Sequence, residues 1–414
     1  MLNKKNKFYI FVSIISLILS ILWIIFVNTK PSSDFQYYNT VARQVANGGQ
    51  WGDTYTSVGY AIVLGFVYKL FGLSIMVGKI FNIFLSALSF FILFKLLKKV
   101  ELEEKKRKII FTIFAFFPNT IFYNSLLCTE ILFTTIFLFI GLLYFSDFKY
   151  KYIFIGILTG INAMIKPFFL IFFFAVFMIQ IVNRVGFLKT IKNTLVVLLF
   201  SALTLSPWIY RNTKLIGQFT TISNNGGIVL YINNNSQNNA GRWMPAANVK
   251  DSLVNQKKYK DANPTERNNM LSSAAKKWIL SHPLQFIDLG FKRIYNTYYI
   301  ADDIAFTYNG TGLSTTAQNI LANWAYIYKM IIFIPATVMV IIKCIEVIKS
   351  LIKKKTMDNF MVYNLICYFM FACTYFITEG QGRYSFPAII IMTYFFTDAV
   401  FRLFFNKAKG LNKI

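Results

Sequence analysis

Among the 17 Asp and Glu residues of this chain, Asp34, Asp53, Glu130 and Glu379 stand where apolar segments begin or end. Three cations stand at similar boundaries: Lys166 before Pro167, Arg211 before Asn212, and Arg383 before Tyr384. A carboxylate in such a place can serve as a general base, and a cation can hold a phosphate through charge-assisted hydrogen bonds. Other chemistry is scarce. The chain has 1 histidine, His282, so it holds no HExxH zinc motif and is a poor candidate for a His-based triad. Cys128, Cys344, Cys367 and Cys373 lie in or beside apolar runs and form no CxxC pair, as expected of inert buried thiols. Reactivity is left to carboxylates, cations and backbone.

The elements that position these residues belong to a membrane protein. Of 414 residues, 56% are hydrophobic and 14% charged, with 45 Phe and a mean hydropathy of +0.51. A soluble surface needs about 25% charged residues. The net charge of +26 does not signal nucleic acid, because the cations fall in short clusters between apolar runs rather than along one stripe.

Apolar runs of the ~20 residues needed to cross a bilayer are expected at 8–27, 74–97, 108–126, 128–146, 152–166, 168–183, 191–209, 325–348, 360–378 and 385–404. More than half of the 43 Lys and Arg lie in the loops on one side, at 1–7, 95–108, 147–151, 184–192, 343–359 and 402–414. The positive-inside rule makes that side cytoplasmic, with both termini inside. The N-terminal run lacks a small-residue cleavage site and reads as an uncleaved span.

Two long segments, 28–73 and 210–324, then face outward. In the first, Ser33-x-x-Gln36 has the form of a capping box, and Phe35, Tyr38, Ala42, Val45 and Ala46 share a helical face. With the apolar stretch from Gly59 to Phe71, this predicts two interfacial helices within 34–72. The second segment reads as a small domain with a short strand at Ile228–Ile232, then helices from Pro264 and around Gln285–Tyr298. The expected fold is an all-α polytopic membrane protein of about ten transmembrane helices. It has outer-face interfacial helices and a small extracytoplasmic α/β-mixed domain. The divisions are 1–209, 210–324 and 325–414.

Each candidate residue has two readings. Glu130, at the head of an apolar run, is either half of a structural ion pair or a cavity-lining acid or metal ligand. Asp34 either satisfies the first N–H groups of its helix or points elsewhere as a base, since Ser33 can fill the cap. Lys166, Arg211 and Arg383 are separate snorkelling anchors or together bind a lipid-linked phosphate.

The order of motifs resembles the GT-C glycosyltransferases, membrane enzymes similar to protein O-mannosyltransferases and the lipid A aminoarabinose transferase. The resemblance rests first on Asp34-x-x-x-Tyr38 with Ala42, Gly59-Tyr60, Phe71-Gly72, Thr129-Glu130, and Gly156-x-x-x-Gly160 running to Lys166-Pro167. Pro207-Trp208-x-x-Arg211-Asn212, Gly226-Gly227, Asn233–Asn235, Gly241, Lys277-Trp278-x-x-x-His282-Pro283 and Arg383-Tyr384-x-x-Pro387 extend it over nearly the whole chain. One departure is that Phe35 and Gln36 follow Asp34 where many relatives carry a second acid.

The resemblance implies transfer of a sugar, with inversion, from a polyprenyl-phosphate donor to an acceptor hydroxyl on the outer face. The acceptor is a cell-envelope glycan, lipid or protein. Asp34 is then the base, with Lys166, Arg211, Arg383 and Tyr384 at the donor phosphate. No cofactor is required; magnesium or manganese stays open, with Glu130 as its candidate ligand. A transporter or lipid-linked-sugar flippase is the rival from another class, and a polysaccharide polymerase or ligase shares the lipid donor. Neither an inverted repeat nor a transporter's need for a domain as large as 210–324 is evident.

Overall fold

The computed structural model describes residues 4–301 and 304–404. Parts of the two terminal basic clusters lie outside the described residues. Among the described residues, six helices are long and apolar enough to cross a membrane: Asn6–Val27, Ile75–Lys99, Phe187–Ile216, Thr315–Ile352, Asn359–Ile377 and Gly382–Phe404. Four shorter apolar helices accompany them, at Gly59–Phe71, Thr129–Phe145, Lys151–Ile165 and Pro167–Val182.

The first half of the chain forms α1 (Lys4–Val27), α2 (Ser33–Ala46), α3 (Gly59–Phe71), α4 (Ile75–Lys99), α5 (Glu104–Ala115) and α6 (Pro118–Phe122). It continues as α7 (Thr129–Phe145), α8 (Lys151–Ile165), α9 (Phe172–Val182) and α10 (Phe187–Ile216). The run expected to cross at 108–126 is interrupted between α5 and α6. Pro118 has no N–H to donate and drives Phe117 out of helical geometry, to ψ 132°.

Close helix contact comes from small residues. A Cβ on Gly156 would sit 2.7 Å from the Val197 carbonyl oxygen, and one on Gly160 would sit 2.9 Å from that of Ser201. Only glycine lets α8 lie this tightly on α10, which fixes where α8 ends and Lys166 begins. On the other side, Lys79 of α4 donates to the Thr29 carbonyl at 2.7 Å and so ties down the segment that follows α1. Thr29 and Lys30 in turn bond the 307–309 segment, which determines where α2 starts.

The next helices are α11 (Gly226–Asn233), α12 (Lys257–Asp261), α13 (Pro264–Ser281) and α14 (Pro283–Tyr298). The strand expected at Ile228–Ile232 is instead part of α11, and no strand occurs among the described residues, so the α/β-mixed expectation for this segment is corrected to all-helical. A lone strand leaves its backbone groups without partners, whereas a helix satisfies them internally. Tyr231 and Ile232 of α11 bury with Leu271 of α13. α13 begins as expected from Pro264, with Asn263 and Glu266 forming a reciprocal capping box.

The chain closes with α15 (Thr315–Ile352), α16 (Asn359–Ile377) and α17 (Ile389–Phe404). The core is largely aromatic, and the outward surfaces of α1, α10 and α15 are lined with exposed Ile, Leu and Phe. At one end of the bundle, Lys106 pairs with Asp398, while Lys343 and Arg402 both reach Glu346. The candidate residues gather at the opposite end.

Candidate functional site

Asp34 lies on the first turn of α2. The expected capping box is not formed: Ser32 is the N-cap, without a side-chain cap bond, and Ser33 is already helical. Asp34 is turned instead toward a residue 349 positions away, accepting from Arg383 Nη2 at 2.7 Å. The aspartate side chain is 48% exposed and the arginine 13%, so one partner faces solvent and the other is anchored.

Arg383 comes from the turn that joins α16 to α17, and aromatic rings hold its stem. Its guanidinium is 5.7 Å from the Phe35 ring, 5.4 Å from Phe306 and 5.3 Å from Tyr384. Its Nε donates to Gln381 Oε1 at 2.9 Å, and Gln381 donates to Glu379 Oε1 at 2.6 Å. Tyr384 donates to the other oxygen of Glu379 at 3.2 Å. Burial raises the Glu379 carboxyl above its ordinary range, and the Asp34 charge adds to the shift, while these hydrogen bonds and Arg383 oppose it.

Glu130, at the second position of α7, forms the other half of the cluster. It accepts from Lys166 Nζ at 3.1 Å and from Thr129 at 3.2 Å. The Lys166 ammonium also lies 5.2 Å from the Tyr384 ring. That same ring therefore lies against both cations, and it stacks on Tyr375 at 5.6 Å. Two ion pairs from α2, α7, the end of α8 and the 378–384 turn are thus brought around one tyrosine.

Glu130 has a side chain only 2% exposed, and Lys166 is its charge partner. Removing one member of a buried pair costs about 3–5 kcal/mol, because the other is left charged and unpaired. Glu130→Gln is expected to lower unfolding stability by about 3 kcal/mol. The double change Glu130→Leu with Lys166→Leu should recover most of that loss. A denaturation double-mutant cycle showing full additivity would remove the pair's structural role.

Arg211 is not part of this cluster. It bonds the Gly52 carbonyl and Asn212 Oδ1, and stacks on Trp208 at 4.4 Å. Nearby, Tyr37 donates to Asp53 at 2.9 Å. A cavity of about 480 Å³ lies beside it, lined by Trp51, Met164, Pro207, Trp208 and Leu215 among others. Of the four cation-site residues expected from the motifs, Lys166, Arg383 and Tyr384 converge, and Arg211 belongs to a neighbouring apolar recess.

Among the described residues, no group of three or more His, Cys, Asp or Glu side chains is arranged to hold a metal ion. Glu130, the candidate ligand, is engaged by an ammonium group. The donor set therefore does not fit a divalent cation, and no chemical step is assigned to one.

Sequence reasoning gave Glu379 no role and passed over Gln381. A signal for both was present. Glu379, Gln381 and Arg383 alternate between two apolar runs, and Gln381 is extended (φ −141°, ψ 142°), which puts alternate side chains on one side. The aromatic contacts of Arg383 with Phe35 and Phe306 had no such signal, since these rings are 271 positions apart.

The sequence matches no family model and no curated protein. Among solved structures, the chain is similar to the oligosaccharyltransferase of Archaeoglobus fulgidus, determined with a tethered acceptor peptide containing the NVT sequon. The TM-score is 0.52 at 12% identity, covering 96% of this chain and 50% of that one. The chain thus spans about half the length of that protein. The likeness is one of fold.

Proposed function

We propose that this chain is an integral-membrane glycosyltransferase that moves a sugar from a polyprenyl-phosphate donor to an acceptor hydroxyl. The face carrying the site lies outside the cytoplasm, and both termini lie inside. The observation that carries the reading is the Asp34–Arg383 pair, in which a half-exposed carboxylate is held against an anchored guanidinium. The paired Lys166 lies against the same Tyr384 ring.

The chemistry follows from this inventory. The acceptor oxygen attacks the anomeric carbon as the bond from that carbon to the phosphate oxygen breaks. The acceptor proton passes to Asp34, and the polyprenyl phosphate leaves with the bonding pair. A phosphate leaves well without protonation, so cations suffice on that side. Arg383 and Lys166 supply them, and Glu130 holds Lys166 in place. One displacement from the face opposite the phosphate inverts the anomeric centre. The cell-envelope acceptor is a glycan, lipid or protein bearing the hydroxyl.

Reconstituted liposomes test the reading. Transfer of labelled sugar from a polyprenyl-phosphate donor, without solute flux, is expected. Solute flux without transfer overturns it in favour of a transporter.

Sidedness is tested separately by labelling in intact cells. A cysteine at exposed Asn309 should react with an impermeant maleimide, and one at exposed Lys354 should react only after lysis. The reverse pattern would put the site in the cytoplasm and remove the outer-face assignment.

A further inference from the structure

Along α14, Leu284 (81% exposed), Ile287 (45%), Phe291 (67%) and Tyr295 (57%) are uncovered. Their spacing of three and four puts them on one helical face. The opposite face is buried through Leu289, Gly290, Arg293 and Thr297. A stripe of this kind on a water-facing domain is a liability unless something apolar covers it.

The packing of α14 says what does. The Phe376 ring, one residue from the end of α16, lies 5.7 Å from both Phe286 and Phe291. It presses on Gly290 so closely that a Cβ there would come within 2.3 Å. Further along, the Tyr298 ring is 5.8 Å from Tyr368 and 6.2 Å from Phe333. The Tyr299 hydroxyl reaches Thr337 of α15, and Lys329 of α15 donates to the Thr297 carbonyl at 3.3 Å.

These contacts measure depth along two spanning helices. Tyr368 lies nine residues inside the end of α16 at Ile377. Phe333 lies nine residues inside Trp324 on α15, a residue type typical of the membrane boundary. At 1.5 Å per residue each separation is about 14 Å, half of a hydrocarbon core ~30 Å thick. α14 therefore passes the end of α16 between Gly290 and Arg293, and its last turn, at Tyr298, reaches toward the midplane.

Its polar groups agree with this placement. Lys292 reaches back one turn to Asp288 Oδ2 at 2.8 Å, toward the start of the helix and toward water, as a snorkelling lysine does. Arg293, on the buried face, donates to the Phe376 and Ile377 carbonyls at 2.7 and 3.3 Å. Those are terminal carbonyls of α16 that would otherwise go unsatisfied at the edge of the bilayer. α16 exposes Phe369 and Ile377 at the two corresponding levels, so its apolar surface and that of α14 meet the same medium.

We infer that α14 is a re-entrant helix whose C-terminal half, from Gly290 onward, enters the leaflet on the site side beside α16, ends toward the bilayer midplane, and faces acyl chains with Phe291 and Tyr295, while Leu284 and Ile287 lie at the interface. The inference stands on packing and does not depend on the glycosyltransferase reading.

The test uses the full chain in phospholipid liposomes, with Cys344 and Cys373 replaced by serine and the fully buried Cys128 and Cys367 retained. A nitroxide is attached singly through Leu284→Cys, Phe291→Cys and Tyr295→Cys. Ser281→Cys serves as the aqueous reference and Ile331→Cys, exposed on α15, as the lipid reference. The ratio of oxygen to nickel-chelate collisions is expected to be low at positions 281 and 284 and to rise severalfold through 291 to 295. A water-like ratio at both 291 and 295 would overturn the inference. So would weak collisions with both reagents at these positions, which would mean that protein covers the face. All the labelled positions are surface sites, so the fold survives labelling, and the two references report on it in each preparation.

Discussion

Asp34→Asn is expected to reduce sugar transfer by ~10²-fold or more, the usual scale for a general base, with little change in thermal stability. Asparagine keeps the shape of the residue and can still accept from Arg383, but it cannot take the acceptor's proton. Exposure selects Asp34 for this role over its neighbours. Glu130 is 2% exposed and bound to Lys166, and Glu379 is buried and pushed toward its neutral form. Asp34, 48% exposed, is the carboxylate of the cluster that an acceptor can approach. If its role were only to favour the helix start, asparagine would serve nearly as well and activity would persist. Transfer by Asp34→Asn at the unaltered rate would therefore rule out its role as the base.

Arg383→Gln is expected to weaken donor binding ten- to a hundredfold, as follows from losing a charged hydrogen bond of about 1.5–3 kcal/mol. Arg383→Lys should restore little of it. A guanidinium sits among the rings of Phe35, Phe306 and Tyr384 and keeps N–H groups directed at Gln381 and Asp34 together. An ammonium on a flexible stem does neither. Binding measured with the polyprenyl-phosphate sugar, apart from turnover, separates this effect from that of Asp34→Asn, which should leave donor affinity largely intact. Unaltered donor affinity in both arginine variants would reduce Arg383 to a structural contact.

The site was partly legible in the chain because membrane boundaries are themselves legible. Apolar run lengths give the helices, and a polar residue at the end of such a run is conspicuous since burying it unpaired is expensive. That reasoning singled out Asp34, Glu130, Lys166 and Arg383, and for Glu130 one of its two readings was an ion pair, which the structure contains. It could not assign partners. Asp34 and Arg383 are 349 positions apart and Lys166 and Glu130 are 36 apart, and nothing in local spacing says which ends of which helices meet.

Where local rules and packing disagreed, packing prevailed. Ser33-x-x-Gln36 has the letters of a capping box, yet the helix starts one residue early, with Ser32 at the N-cap, so the box is absent. Ile228–Ile232 has strand composition, yet no second strand is near, and α13 offers an apolar face that a helix can bury against. Arg211 has the same motif-level credentials as Arg383. Its helix, α10, ends instead beside the 52–53 loop, and its donors are used there.

The sequence by itself therefore determined the solvent of this chain, its helical content and the shortlist of charged residues at one membrane face. Composition and run length act one segment at a time, so they require no knowledge of contacts. Only the tertiary structure decided which of those charges lie together and which apolar helices pack against one another. The glycines at 156 and 160 set how closely α8 meets α10. The ring of Tyr384 places Lys166 and Arg383 on one support. Tyr298 meets α15 and α16 at mid-depth. Each of these is a contact between distant segments, and the free energy that selects it exists only once the helices are packed.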